Sequence, residues 1–193
     1  HRLRNPLAVV KGTAQLLEER VPEGERERVA RIVTASGRME TILSRLLDFA
    51  RPPAPQPTSF DLAALARDVA SRVGGTVVRA ERAVQVRADR EHVETILEEL
   101  LANARASDPG GTIDVTARVQ GTRAVLEVAD RGPGLDLDPA SAFEPYVTSR
   151  PDGTGLGLAI VRALAASNGG TATLAPRPGG GCVASLSLPA PEA

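Results

Sequence analysis

The sequence predicts an α+β protein: a helical hairpin, followed by an α/β sandwich in which one mixed sheet is covered by three helices. Three observations carry this. Over the first fifty residues apolar side chains recur at intervals of three and four, the period of a helix. The stretch "RPPAPQPTSF", Arg51 to Phe60, then places prolines at 52, 53, 55 and 57, which end a helix and hold the chain extended. From Asp61 onward, alternating runs and helical runs take turns. The expected division is a hairpin at 1–50, a proline-rich linker at 51–59 and a second domain at 60–193.

In the first helix the apolar stripe is Leu7, Val10, Ala14 and Leu17. "VPEG", Val21 to Gly24, is a turn signal. The second helix repeats Val29, Ile32, Val33, Ser36, Met39, Ile42, Leu43, Leu46, Leu47 and Ala50. Two helices cannot bury so wide a stripe, whereas two hairpins paired into a four-helix bundle can, so a homodimer through the hairpin is expected. After the linker, Asp61 caps a helix running to about Val73. "TVVRA" and "VQVRA" read as short strands, and Asp89 starts a helix through Ile96, Leu97, Leu100, Leu101 and Ala104. "TIDVTARV" and "AVLEVAD" alternate cleanly and form a hairpin. Residues 131–154 show no strong period and form a loop long enough to suggest a functional role. A helix from Gly155 to about Ser167 and the strands "TATLA" and "VASLSL" complete the chain.

Bulk properties exclude several classes. The net charge of −1 gives no electrostatic case for nucleic acid or an anionic membrane. No apolar run approaches the roughly 20 residues that span a bilayer, and the start has no signal-peptide pattern. One cysteine, Cys182, excludes an internal disulfide and a multi-cysteine metal site, and its apolar run points to a core position. The chain begins inside an apparent helix. It reads as a cytoplasmic fragment of a longer protein that itself contacts no membrane, whether or not the parent is membrane-attached.

Four short stretches carry chemistry. In "DGTGLGLAIV", Gly153, Gly155 and Gly157 precede a helix. Each glycine costs about 0.5–1 kcal/mol relative to alanine in regular structure. Close approach of phosphate oxygens to a helix N-terminus would explain the expense, and a merely flexible loop is the alternative. Asp130 ends a strand on whose apolar face Leu126 and Val128 also lie, so its carboxylate sits at the core's edge. "DRGPG" then turns sharply. A short acceptor in an apolar slot suits an exocyclic amino group such as that of adenine; the other reading is that Asp130 caps the turn. In "ELLAN", Glu99 and Asn103 stand at i and i+4, side by side on one helix face, as oxygen ligands for Mg²⁺ or as a solvent-facing pair. In "HRLRNPL", Pro6 loosens the helix beyond His1. His1 is then an accessible imidazole nucleophile, an ordinary surface histidine or a tag remnant.

The order of these stretches resembles the sensor histidine kinases of two-component systems, over nearly the whole chain. "HRLRNPL" is similar to their H-box, "ELLANA" to the N-box, "DRGPG" to the G1 box, "FEPYVTSR" to the F-box and "GTGLGLAIV" to the G2 box. The wording is most similar to the nitrogen-sensor-like subgroup. The resemblance implies a GHKL-type ATP-binding domain, with ATP and Mg²⁺ as cofactors and a response-regulator receiver domain as partner. It implies that His1 is the phosphoacceptor, with Asn5 and Pro6 shaping phosphotransfer and dephosphorylation. Asn103 would bind Mg²⁺, with Glu99 beside it, and Asp130 the adenine amino group. Gly132 and Gly134 would bracket the nucleotide. Gly153, Thr154, Gly155, Leu156 and Gly157 would form the phosphate-side loop, within a lid that Thr148 and Arg150 help to close over phosphates.

Three positions depart from the pattern. The residue after the histidine is usually acidic and here is Arg2, which cannot act as a base. The first N-box position is commonly Asn and here is Glu99, which we expect to replace the missing base. The basic residue often found three after Asn103 is here Ala106, leaving Arg105 or Arg150 for phosphate. His92, on the same helix, reads as a surface residue. Two alternatives follow: a GHKL ATPase of the gyrase, MutL or Hsp90 type, which shares the Glu99–Asn103 spacing, and a degenerate kinase acting as scaffold or phosphatase because of Arg2. Labelling of protein by the ATP γ-phosphate separates the kinase from both.

Overall fold

The computed structural model describes residues 4–50, 54–80, 82–150 and 153–191. The chain divides into two compact units, His1–Arg51 and Pro52–Ala193.

The first unit is the expected antiparallel pair, α1 (Arg4–Glu18) and α2 (Glu23–Ala50). Ala14, Val29 and Ser36 are buried between them, and Lys11 pairs with Glu40 at 2.6 Å. Much of the apolar stripe stays outside: Val10 is 50% exposed, Leu17 48%, Ile32 49% and Met39 55%. Val10, Ile32, Ala35 and Met39 line an open groove of about 520 Å³. So much exposed apolar surface on one hairpin is the signature of an interaction face.

The second unit is built on a five-stranded sheet in the order β2 (Thr76–Arg79), β4 (Ile113–Gln120), β5 (Arg123–Ala129), β7 (Cys182–Pro189), β6 (Thr171–Pro176). The β2–β4 pair is parallel and the rest antiparallel, so the sheet is mixed as expected. Helices α3 (Leu62–Ser71), α4 (Arg90–Ser107) and α5 (Gly157–Ser167) form the covering layer. Alternation assigns the sheet faces: Val115, Leu126, Leu186 and Leu188 point at the helices and are at most 0% exposed. The other face carries polar and charged residues, including the Arg118–Glu127 pair. Leu126 lies on the central strand at 0% exposure. Leu126→Ala is expected to destabilise the unit by about 2–5 kcal/mol, read as a lower urea midpoint at unchanged slope.

Two expectations need correction. The expected single sheet is joined by a second, two-stranded one, β1 (Thr58–Asp61) against β3 (Gln85–Ala88). Thus the last residues of the expected linker are strand. Asp61 explains this locally: its Oδ1 accepts from Ala63 N at 3.0 Å, capping α3, and from Val84 N at 2.9 Å, tying β1 toward β3. The second correction is His92, which is only 6% exposed. Its Nδ1 lies 3.2 Å from Asn168 Nδ2, because the end of α5 packs on the start of α4.

Asp89 organises that junction. It caps α4 by accepting from Glu91 N and His92 N, takes Gln56 N at 2.7 Å, and gives its own N–H to Asn168 Oδ1 at 2.7 Å. Burial pushes its carboxyl pKa up, but the hydrogen bonds from Gln56, His92 and Glu91 and the charge of His92 outweigh it, leaving it below the ordinary 3.8. A depressed folded pKa means that the stability Asp89 supplies is present above the unfolded value and lost as pH falls through the folded one. The urea midpoint is therefore expected to fall below about pH 4, with a weaker pH dependence in Asp89→Asn.

Candidate functional site

The site is assembled where α4, the end of β5 and the start of α5 meet. On α4, Glu99 and Asn103 are both half-buried, at the edge of the face that Leu97, Leu100, Leu101 and Ala104 bury. Gly157, the first residue of α5, lies directly against them. A Cβ built there would stand 2.5 Å from Glu99 Oε2 and 3.9 Å from Asn103 Nδ2. Glycine at this position is thus what lets the helix start reach the carboxylate. Arg150 joins from the loop, its Nη2 donating to Asn103 Oδ1 at 3.3 Å.

The loop before α5 is tied back on itself. Phe143, in a 3-10 turn at Ser141–Phe143, anchors it at 4% exposure. Tyr146 donates its N–H to Gly155 O at 2.9 Å and adopts φ 67°, a strained value for a non-glycine residue, while 68% exposed. Gly155 matches it at φ +65°, and a Cβ there would stand 2.5 Å from Tyr146 C and 2.8 Å from Val147 N. The exposed Thr148 accepts Arg150 N on its Oγ1 at 3.1 Å, and Gly153 N donates to Arg150 O at 3.1 Å. Thr154 Oγ1 accepts Leu156 N at 3.4 Å. Leu156 is 1% exposed, so only its backbone faces the loop. No side chain caps α5, whose first N–H groups have no partner within the helix.

Asp130 closes the other end. It is 6% exposed, on the same face as Leu126 and Val128. Its Oδ1 accepts from Gly132 N at 2.9 Å and Cys182 N at 3.2 Å. It therefore caps its turn, and still presents Oδ2, which has no hydrogen-bond partner among the described residues. Gly134, at φ +93°, continues the turn.

Other expectations sort as follows. His1 and Arg2 lie outside the described residues. Asn5 and Pro6 are exposed in the first turn of α1. Arg105 is unavailable to phosphate: its guanidinium binds the carbonyls of Gly74, Asp108, Pro109 and Gly111 and holds the turn after α4. Arg150 alone of the two basic candidates reaches the N-box. Cys182 is half-buried at a strand start rather than in the core. Sequence reasoning gave both β6 and β7 as strands but missed that Arg177, in the turn between them, donates from Nη1 to Asp130 O at 3.1 Å. The signal for that turn was the run Gly179 to Gly181 between the two strands. Among the described residues no cluster of three or more His, Cys, Asp or Glu could hold a metal ion.

Residues 88–192 match the family of histidine kinase-, DNA gyrase B- and HSP90-like ATPases, and residues 1–55 match the His Kinase A (phospho-acceptor) domain. The chain belongs to the sensor histidine kinases.

Among relatives, it is 34% identical to the sensor histidine kinase ZraS of Klebsiella oxytoca, over 98% of this chain and 44% of that protein. It is 30% identical to the C4-dicarboxylate transport sensor protein DctS of Rhodobacter capsulatus, over 100% of this chain and 32% of that one. Full-length ShkA, solved in complex with AMPPNP, matches with TM-score 0.85 at 30% identity, over 100% of this chain and 45% of that one. The chain thus spans less than half the length of these relatives. The phospho-acceptor match covers the hairpin that GHKL hydrolases lack, so the plain ATPase alternative is not favoured. The fold is that of histidine kinases, and the second unit is an ATP-binding domain of the GHKL type. No helix among the described residues is long and apolar enough to cross a membrane.

Proposed function

We propose that this chain is the catalytic core of a sensor kinase: ATP held by the second unit phosphorylates His1, which passes the phosphoryl group to an aspartate of a response-regulator receiver domain. The observation that supports it most is the convergence of Glu99, Asn103, Arg150 and Gly157 at the start of α5. Uncapped N–H groups of α5 would receive phosphate oxygens, and Asp130 Oδ2 would accept from the adenine amino group. Asn103 and Glu99 supply the one or two hard oxygen ligands that Mg²⁺ takes beside phosphates, and so fit it. Bound there, Mg²⁺ would neutralise phosphate charge. Arg150, which donates to Asn103 Oδ1, would then turn to the phosphates. Glu99 would take the proton of His1 in place of the acidic residue that Arg2 displaces. The apolar surface of the hairpin would be covered by a second copy, as a four-helix bundle. Use of ATP places the fragment in the cytoplasm.

The test is incubation with γ-³²P-ATP and Mg²⁺, on wild type and His1→Gln. Acid-labile, base-stable label that disappears in His1→Gln is expected. ATP binding without label would leave the scaffold or phosphatase reading, with Arg2 as its cause. Arg150→Ala is expected to weaken labelling about tenfold while leaving the fold intact by far-UV circular dichroism.

A further inference from the structure

We propose that Asp114, on the sheet face away from the helices, is a positioning residue for ATP: through Arg131 and Arg177 it fixes the chain that leaves β5, and with it the aim of Asp130. The inference rests on the nucleotide reading above and names how this chain holds that acceptor in place.

The ladder between β4 and β5 ends with Asp114 opposite Ala129. The same register, carried on, would set Thr112 opposite Arg131, but backbone pairing stops first. Side chains take over there. Arg131 donates from Nη1 to Thr112 O at 2.9 Å and from Nη2 to Asp114 Oδ2 at 2.8 Å. Arg177 donates from Nη2 to the same Oδ2 at 3.2 Å and from Nη1 to Asp130 O at 3.1 Å. Both residues that follow β5 are thus fastened to one carboxylate on β4. From α4 the same turn is crowded: a Cβ at Gly132 would stand 2.7 Å from Ser107 O. Pressed by α4 and tied to Asp114, the turn has little freedom, and Asp130 Oδ1, which accepts from Gly132 N, is set with it.

Asp114 is ionised for this role. Its side chain is 12% exposed. The hydrogen bond from Arg79, at 2.6 Å to Oδ1, outweighs the cost of burial and, with the charge of Arg131 and the hydrogen bond from Arg177, holds the carboxyl below the ordinary 3.8.

Charge decides which member of the cluster matters. Three guanidiniums, those of Arg79, Arg131 and Arg177, share this one carboxylate. Without its negative charge they repel one another, and Arg131 and Arg177 lose the anchor that sets their backbone contacts. Without Arg79, two guanidiniums remain on the carboxylate and both backbone contacts stand. Arg79 comes from β2, and its hydrogen bond is to Asp114 Oδ1 rather than to the chain around Asp130.

The experiment measures equilibrium ATP affinity on the whole chain with Mg²⁺, and GTP affinity by competition with a fluorescent ATP analogue. The proteins are wild type, Asp114→Asn, Arg177→Met, the double variant and Arg79→Ala. Asp114→Asn is expected to weaken ATP binding about five- to tenfold, the loss of a charge-assisted hydrogen bond. The ratio of ATP to GTP affinity is expected to fall by a similar factor, because the phosphate side at Arg150 and the start of α5 is untouched. Arg177→Met is expected to do the same, and the double variant to stay within about twofold of the weaker single one, since both act along one path. Arg79→Ala is expected to stay within about twofold of wild type.

Unchanged ATP affinity in Asp114→Asn would overturn the proposal. So would an equal loss in Arg79→Ala, which would make the cluster a general support of the sheet. Losses that multiply in the double variant would also count against it. Should Asp114→Asn lose its far-UV circular dichroism, Arg177→Met against Arg79→Ala decides the matter alone. Absence of ATP binding to wild type would instead strike the nucleotide reading beneath it.

Discussion

Glu99→Gln is expected to lower phosphorylation of His1 by about 10²–10⁴-fold, the range that general base catalysis contributes, while ATP affinity changes less than threefold. The substitution keeps the shape of a side chain whose Oε2 lies against Gly157, so the start of α5 has no reason to move. It removes the carboxylate's charge and its capacity to take a proton, while the amide keeps one oxygen that can still face Mg²⁺. Asn103, one turn on, keeps its oxygen, and Arg150 keeps its partner. Label incorporation measured beside equilibrium ATP binding separates the two effects. Retained labelling would sink Glu99 as the base. Loss of both labelling and binding would recast it as a ligand in the nucleotide site alone.

Gly155→Ala is the second large effect. Two penalties act together. An alanine at φ +65° carries left-handed strain, and its methyl would stand 2.5–2.8 Å from backbone atoms of Tyr146 and Val147 that cannot rotate away. Relief requires the Tyr146 N–H to Gly155 O bond to open, which detaches the loop from α5. ATP binding is expected to weaken about 10–100-fold, the equivalent of about 1–3 kcal/mol of strain. Because the sheet core lies elsewhere, far-UV circular dichroism should barely change. Normal ATP binding by Gly155→Ala would show that this loop conformation is irrelevant to the nucleotide.

These effects differ in how far they were legible beforehand. Glu99 and Asn103 were readable as neighbours because i and i+4 on a helix meet whatever surrounds them. Asp130 facing the core with Val128 and Leu126 followed likewise from the two-residue period of a strand. The crowding at Gly155 was not readable, since it depends on how residues 146–147 return to the loop nine residues later.

The errors have one cause. His92 looked like a surface residue because nothing in α4 itself hides it; Asn168, 76 residues away, does. Arg105 looked available because carbonyls leave no mark in a sequence, yet Gly74 and Gly111 consume its guanidinium. The second sheet escaped notice because "TSF" follows prolines and is too short to show alternation, and only pairing with residues 85–88 makes it a strand.

By itself, then, the sequence determined the periods: two helices with too wide an apolar stripe, alternating strands, and motif residues placed on them, because local spacing dictates which side chains share a face. Only the tertiary structure decided which faces meet. It set Gly157 against Glu99, Arg150 on Asn103, and Cys182 opposite Asp130, because those contacts join residues 47 to 58 positions apart, and no local period encodes a pairing across such a distance.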